Sequence, residues 1–414
     1  MSTTRRKITY LDLFAGAGGL SEGFKASGYE SIAHVEMDQD ACNTLKTREC
    51  YYYLKSKRNG SIYSKYLRRE ITREQLYGAV PDEILNSVIC ETMSQGTMLS
   101  IFSRIDAAMC FHKIQNLDLI LGGPPCQAYS TVGRSRKNMQ NDPRNLLYKL
   151  YLKTIDRYKP TMFIFENVPG LITANDGYYL NSIMNGFRRR GYSVHKRMLN
   201  ASDYGVLQYR NRIIIIGWLK GTSHEYPKLQ KIAQKYTVSE LFDDLPRLNP
   251  GEEKKEYAGK ITPYLREVDL RNKNDILTWH VVRTNLERDR DIYRLAIKTW
   301  NEQGKRLKYT DIPNELATHD NRTSFLDRFK VVAANQPAAH TMVAHICKDG
   351  HYYIHPDVSQ ARSISVREAA RIQSFPDNYY FEGSRTSVFR QIGNAVPPVL
   401  AKAIATALME QFGG

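Results

Sequence analysis

The sequence has no closely spaced pair of cysteines. Cys42, Cys50, Cys90, Cys110, Cys126 and Cys347 form neither a CxxC motif nor a regular framework. That argues against a disulfide-stapled fold and for free thiols in a reducing compartment. No run is long and apolar enough to predict a bilayer span, and Met1–Thr9 carries bases but no apolar signal core. A soluble, intracellular chain is expected. Acidic residues are in short supply: 59 Lys and Arg stand against 43 Asp and Glu, a net charge of +16. A polyanionic partner is expected, nucleic acid first. With 414 residues, the chain is long enough for two or three domains.

Against these absences one stretch stands out, Gly122-Gly123-Pro124-Pro125-Cys126-Gln127. It follows Leu117–Leu121, an apolar run of the kind that forms a buried parallel strand. Two glycines and two prolines stop that strand and restrict the backbone. The Cys126 thiol is thereby placed just beyond a strand's carboxyl end, where open α/β sheets carry out chemistry.

Ile8–Phe14 reads as a strand, Ala15-Gly16-Ala17-Gly18-Gly19 as a turn, and Leu20–Phe24 as the start of a helix. A second strand, Ser31–Val35, ends at Glu36. Strand, glycine turn, helix, strand and acid make a nucleotide-type pocket, with Glu36 spaced to grip ribose hydroxyls. Ser21 stands where the dinucleotide fingerprint needs its third glycine.

Residues 46–115 mix tyrosines with bases, which fits either nucleic-acid contact or a helix with a solvated face; the second is favoured. Residues 128–137 read as a polar, basic loop beside the thiol, and a helix is expected from about Asn145. Met162–Phe165 is a strand ending in Glu166-Asn167-Val168-Pro169, and 191–199 with 212–218 form a closing strand pair. From Gly221 to about Ser363 the chain is irregular, with a strand-like piece at Phe329–Ala333. His340, His345, Cys347, His351 and His355 cluster about Asp349-Gly350. Their spacing fits no standard zinc pattern, a hairpin explains the turn, and no metal is expected. Helices are expected over Val366–Gln373 and from Pro397-Pro398 through Leu408.

Six motifs resemble, in order, those of DNA (cytosine-5)-methyltransferases. They are Asp12–Leu20, Gly123–Gln127, Glu166–Val168, Gln208–Arg212, Arg367–Pro376 and Gln391–Asn394. The resemblance spans nearly the whole chain and implies the compact, bacterial-type form of the family. The implied fold is α/β, a Rossmann-like S-adenosylmethionine-dependent methyltransferase sheet with a smaller, irregular target-recognition domain. Residues 1–220, completed by 388–414, would form the catalytic domain and 221–387 the smaller one. The activity implied is methyl transfer to C5 of a cytosine rotated out of duplex DNA.

By the same resemblance Cys126 is the nucleophile that adds to C6, and Glu166 is the acid at N3. Arg212 and Arg210 hold the base O2 and the thiol's surroundings. The donor implied is S-adenosyl-L-methionine, leaving as S-adenosyl-L-homocysteine. Phe14 would pack on adenine, Glu36 would hold ribose, and Gly16, Gly18, Gly19, Leu20, Met37, Pro124, Asn394 and Val396 would complete that pocket. Ser130, Arg134, Arg136, Lys137 and Gln208 are the candidate DNA contacts. Tyr129 departs from the family's usual phenylalanine. A cytoplasmic, monomeric enzyme is expected, with double-stranded DNA as partner and a restriction endonuclease of matching specificity as a second one.

Other classes fit less well. The tRNA-methylating branch usually carries Cys-Phe-Thr, a triplet missing here. A DNA-binding module would have no use for Cys126, Glu166 and Arg212 together. Ser21 and the thiol disfavour a NAD-type oxidoreductase. An amino-methyltransferase would have an aromatic residue in the place of Cys126.

Overall fold

The computed structural model describes residues 7–125, 147–221, 225–317, 323 and 326–412. In the first half, β1 (Thr9–Leu13), α1 (Gly19–Ala26), β2 (Glu30–Glu36) and α2 (Gln39–Ser56) are followed by three short helices. These are α3 (Gly60–Leu67), α4 (Arg73–Tyr77) and α5 (Asp82–Asn86); β3 (Val88–Cys90), α6 (Met98–Phe111) and β4 (Leu119–Gly122) come next. After α7 (Leu147–Tyr158) run β5 (Met162–Asn167), α8 (Tyr178–Arg189), β6 (Tyr192–Asn200) and β7 (Asn211–Leu219).

The seven strands form one sheet in the order β3-β2-β1-β4-β5-β7-β6. The first five run parallel, and β7 and β6 are antiparallel additions, the expected closing pair. The order reverses between β1 and β4, so the loops after Leu13 and after Gly122 open at the topological switch point.

Both faces are covered, which is why the central strands read as unbroken apolar runs. On one face Leu11, Leu13, Phe163 and Ile215 pack against α6, α7 and α8. On the other, Tyr10, Leu121, Ile164 and Ile214 pack against α1 and the C-terminal helix. Tyr151 is buried, and its hydroxyl donates to the carbonyls of Ile120 and Ile164, 3.0 Å each. A buried phenol thereby keeps a partner and ties β4 to β5.

The second half is less regular. It contains helices α9 (Pro263–Glu267), α10 (Glu287–Gln303) and α11 (Val366–Ile372), with three short 3₁₀ turns between α10 and α11 among the described residues. Phe329–Ala333, expected as a strand, makes only an isolated bridge from Val331 to Ile354. The expected hairpin about Asp349-Gly350 is instead preceded by a 3₁₀ turn, Ala344–Cys347. The nearby histidines are engaged separately. His340 Nε2 lies 2.6 Å from the Tyr352 carbonyl, and His351 Nδ1 lies 2.7 Å from the Tyr293 hydroxyl. Among the described residues no three of His, Cys, Asp and Glu are gathered as a metal ion would need.

With little ladder bonding, this half is held by buried ion pairs. Arg371 binds Asp244 (2.5 Å) and Asp377 (2.6 Å), all three fully buried, and Arg271 also contacts Asp244. Arg367 donates to Thr278, and Arg362 pairs with Glu368 at 2.7 Å. The stretch Arg367–Pro376 is therefore a joint between segments far apart in the chain.

The chain returns to the sheet through α12 (Arg385–Asn394) and α13 (Pro398–Phe412). Arg385–Phe412 is long and apolar enough to span a membrane by composition, unlike the expectation from sequence. However, 61% of its most apolar window is buried in the fold, and residues 395–397 break it in two. Gly23 lets α13 lie against α1, since a Cβ there would come 2.4 Å from the Lys402 nitrogen. One apolar cluster runs from Ala17 and Leu207 through Val238 and Leu265 to α11 and α12, so the two halves share a core.

Candidate active site

The first loop is set by its backbone. Phe14 takes a left-handed φ of 56°, unusual for a bulky residue, and Gly16 (54°) and Gly18 (73°) follow it there. A Cβ on Gly16 would meet nothing within 4 Å, so this is an open cradle. Glu36 fastens it: Oε2 accepts from Gly16 N at 2.8 Å, and Oε1 accepts from Met37 N and Asp38 N at 2.9 Å each. Burial pushes the Glu36 carboxyl upward, and these N–H groups pull against that shift. Oε1 is filled by its two N–H donors, and Oε2 keeps a lone pair for a ligand's hydroxyl.

Not every expected cofactor residue faces this cradle. Leu20 and Val396 have side chains in the core beneath α1, and the Val396 carbonyl approaches so closely that a Cβ on Gly19 would lie 2.2 Å from it. Met37 and Asn394 are exposed at the rim. Two participants were not found from sequence. Tyr379 donates to the Ala17 carbonyl at 2.5 Å and closes the loop from behind. Glu91 follows β3; its N–H donates to the Glu36 carbonyl at 2.9 Å, and its Oε2 accepts from the Ser100 hydroxyl at 3.0 Å. β3 has only three residues, too few to show a strand period.

The second loop follows β4. Glu166, at the end of β5, lies 2.6 Å from Arg212 Nε through Oε1. Its Oε2 covers Gly123, where a Cβ would stand 2.5 Å away and push the carboxylate aside. Asn167 donates from Nδ2 to the Pro124 carbonyl at 3.3 Å and accepts the Val168 N–H on Oδ1 at 2.8 Å. Glu166, Arg212 and the Gly123-Pro124 turn are thus one assembly at the carboxyl edge. Cys126, Ser130, Arg134, Arg136 and Lys137 lie outside the described residues.

Two expected contacts point elsewhere. Gln208 is fully buried; its amide donates to Ile372 O (3.0 Å) and Gln373 Oε1 (2.7 Å) and accepts from Met342 N (2.8 Å). Such a side chain has no route to DNA in this structure. Arg210 is also buried, and its guanidinium caps the carbonyls of Met342, Gly393 (3.0 Å) and Ala395 (2.9 Å). It is a clamp between segments, and Arg212 alone of the two reaches Glu166.

A glycine cradle with a fixed carboxylate, one strand from a Glu–Arg pair over a Gly-Pro turn, sits at the switch point of an α/β sheet. The family model described as C-5 cytosine-specific DNA methylase matches residues 8–103 and 102–410. The chain belongs to this family. It is 39% identical to the type II methyltransferase M.Bpa9945I of Bacillus paralicheniformis, covering 98% of this chain and 99% of that one. To M.DdeI of Desulfomicrobium norvegicum it is 30% identical, over 98% and 89% of the two chains. Among solved structures, a DNA modification methyltransferase encoded within an E. coli prophage shares the fold. The TM-score is 0.63 at 23% identity, with 99% of this chain and 100% of that one covered. The Entamoeba histolytica methyltransferase EhMeth superposes at 0.54 with 15% identity over 99% of each chain. The protein is an enzyme of the DNA (cytosine-5)-methyltransferase class, on the expected Rossmann-like α/β sheet.

Proposed function

We propose that this enzyme methylates C5 of a cytosine rotated out of a specific duplex DNA sequence, through a covalent bond from Cys126 to C6. The supporting observation is the Glu166–Arg212 pair held over Gly123, three residues before the thiol. C5 of cytosine is a weak nucleophile, and addition of the Cys126 thiolate at C6 turns the ring into an enamine. Negative charge moves to N3. With Oε1 fixed by Arg212, the Glu166 Oε2 edge is left to carry a proton to N3 and take it back later. The donor, S-adenosylmethionine, supplies an electrophilic methyl group. Loss of the C5 proton and departure of the Cys126 sulfur then restore the aromatic ring.

Phe14, Gly16, Gly18, Glu36 and Asn394 would hold the donor, with Glu36 on the ribose hydroxyls and Glu91 on the adenine amino group. The open backbone at Gly16 and the anchored Glu36 carboxylate fit such a ligand. Ser130, Arg134, Arg136 and Lys137 would close over the DNA, and residues 221–387 would read base edges in the major groove. Arg210 and Gln208 act as positioning residues. Work as a monomer in a bacterial cytoplasm, beside an endonuclease of matching specificity, completes the proposal. Bisulfite sequencing of DNA from cells expressing the protein should show cytosines protected at one recurrent sequence; uniform conversion would contradict it. Exchanging residues 221–360 for those of a relative should move the protected sequence to the relative's.

A further inference from the structure

The stretch from Lys46 to Glu74 holds nine basic and three acidic residues and takes no part in the site above. Its apolar face is spent on packing: Leu54, Tyr63, Tyr66, Leu67 and Leu76 form a small cluster joined by Ile276 and Tyr380. Most of the charge that remains outside is basic, with Glu70 and Glu74 the exposed acids. Lys57 and Arg58 stand at the α2–α3 turn, where Arg58 takes a φ of 58°. Lys65 and Arg68 follow on α3 at i and i+3, on the side opposite Tyr63 and Leu67, and all four are exposed.

Elsewhere many surface bases have acidic neighbours: Arg290 and Arg294 pair with Glu287, Lys231 with Asp203, and Lys235 with Glu267. Among the described residues none of Lys57, Arg58, Lys65 and Arg68 has a carboxylate within 4.0 Å. Unpaired like charges on one ridge repel each other, and a bound polyanion would relieve that repulsion. The ridge also borders the second half of the chain. Arg69 pairs with Glu253 at 2.9 Å, Tyr63 donates to the Asn378 carbonyl at 2.8 Å, and Tyr66 to Glu382 at 2.6 Å.

We infer that Lys57, Arg58, Lys65 and Arg68 form a second duplex-DNA contact, gripping phosphates that flank the stretch read by residues 221–387. The inference rests on the proposed action on duplex DNA. It assigns these helices a role in holding DNA, separate from the chemistry.

The test compares the wild type with the quadruple variant Lys57→Gln, Arg58→Gln, Lys65→Gln, Arg68→Gln. Both are titrated with mixed-sequence duplexes of about 15 and 40 base pairs at rising salt. With four phosphate contacts, wild-type affinity for the longer duplex should fall about 10²-fold further than the variant's between 50 and 200 mM salt. On the shorter duplex the two proteins should behave alike. Equal salt dependence on the longer duplex, or an equal loss on both, would overturn the inference. An unchanged melting temperature of the variant excludes misfolding. Wild-type binding without methyl incorporation into genomic DNA would sink the proposed function and leave the ridge standing.

Discussion

Glu166 and Arg212 approach to 2.6 Å, yet they belong to strands that run in opposite directions, β5 and β7. The antiparallel addition to a parallel sheet is what carries the guanidinium to the carboxylate. Glu166→Gln keeps the shape and removes the acid, so methyl transfer should slow by about 10²–10⁴-fold with donor affinity little changed. Single-turnover incorporation checks this, and an unaltered rate would remove Glu166 from the proton path. Arg212→Ala should lower the rate as well, by releasing Oε1.

Arg371 is the centre of the buried network in the second half. Removing it as Arg371→Ala leaves Asp244 with Arg271 and Asp377 with Arg367 at 3.7 Å, each short of a partner. The expected destabilisation is about 3–5 kcal/mol, read from urea unfolding midpoints. Arg247→Ala, at an exposed pair with Asp357, should change stability by less than about 1 kcal/mol.

These networks also explain what could be read from the sequence. The β1 strand, its glycine turn, Glu36, the β4 strand into Gly123-Pro124 and the β5 strand into Glu166 were all legible. Each is an apolar run ended by residues with few conformational options. The helices of residues 39–86 were not. Along α2 the buried face includes Arg48, bound to Glu22, and Glu49, 3.0 Å from His34, so charged residues occupy core positions and hide the period. Gln208 and Arg210 misled for a related reason. Their partners, Met342, Gly393 and Ala395, are more than 130 residues away, and a sequence does not show whether a polar side chain faces inward.

Burial among Tyr352, Tyr353 and nearby bases lowers the His340 imidazole to about 4. The unfolded chain, near 6.5, binds its proton first as pH falls, so this contribution is intact above about pH 6.5 and is lost toward pH 4. Unfolding free energy should drop by about 1–2 kcal/mol between pH 7 and 5 on account of His340. Chemical denaturation of His340→Gln should show a drop smaller by that amount, and an identical slope would contradict it.

Gly23→Ala places a methyl group against the backbone of Ala401 and Lys402. Since α1 and α13 touch there, the helices must separate, at about 1–3 kcal/mol. A lowered melting temperature is the readout. Because Gly19 and the Val396 carbonyl meet one turn earlier, donor affinity measured by calorimetry should weaken in parallel.

The most direct measurement is trapping on duplex DNA in which cytosine is replaced by 5-fluorocytosine, supplied with S-adenosylmethionine. After methyl transfer the fluorine leaves no proton to remove at C5, so the sulfur stays bonded to C6. A protein–DNA species that survives a denaturing gel is expected from the wild type, with the linkage at Cys126, and none from Cys126→Ala. A wild-type enzyme that methylates ordinary duplex DNA but never forms that species would contradict the covalent route.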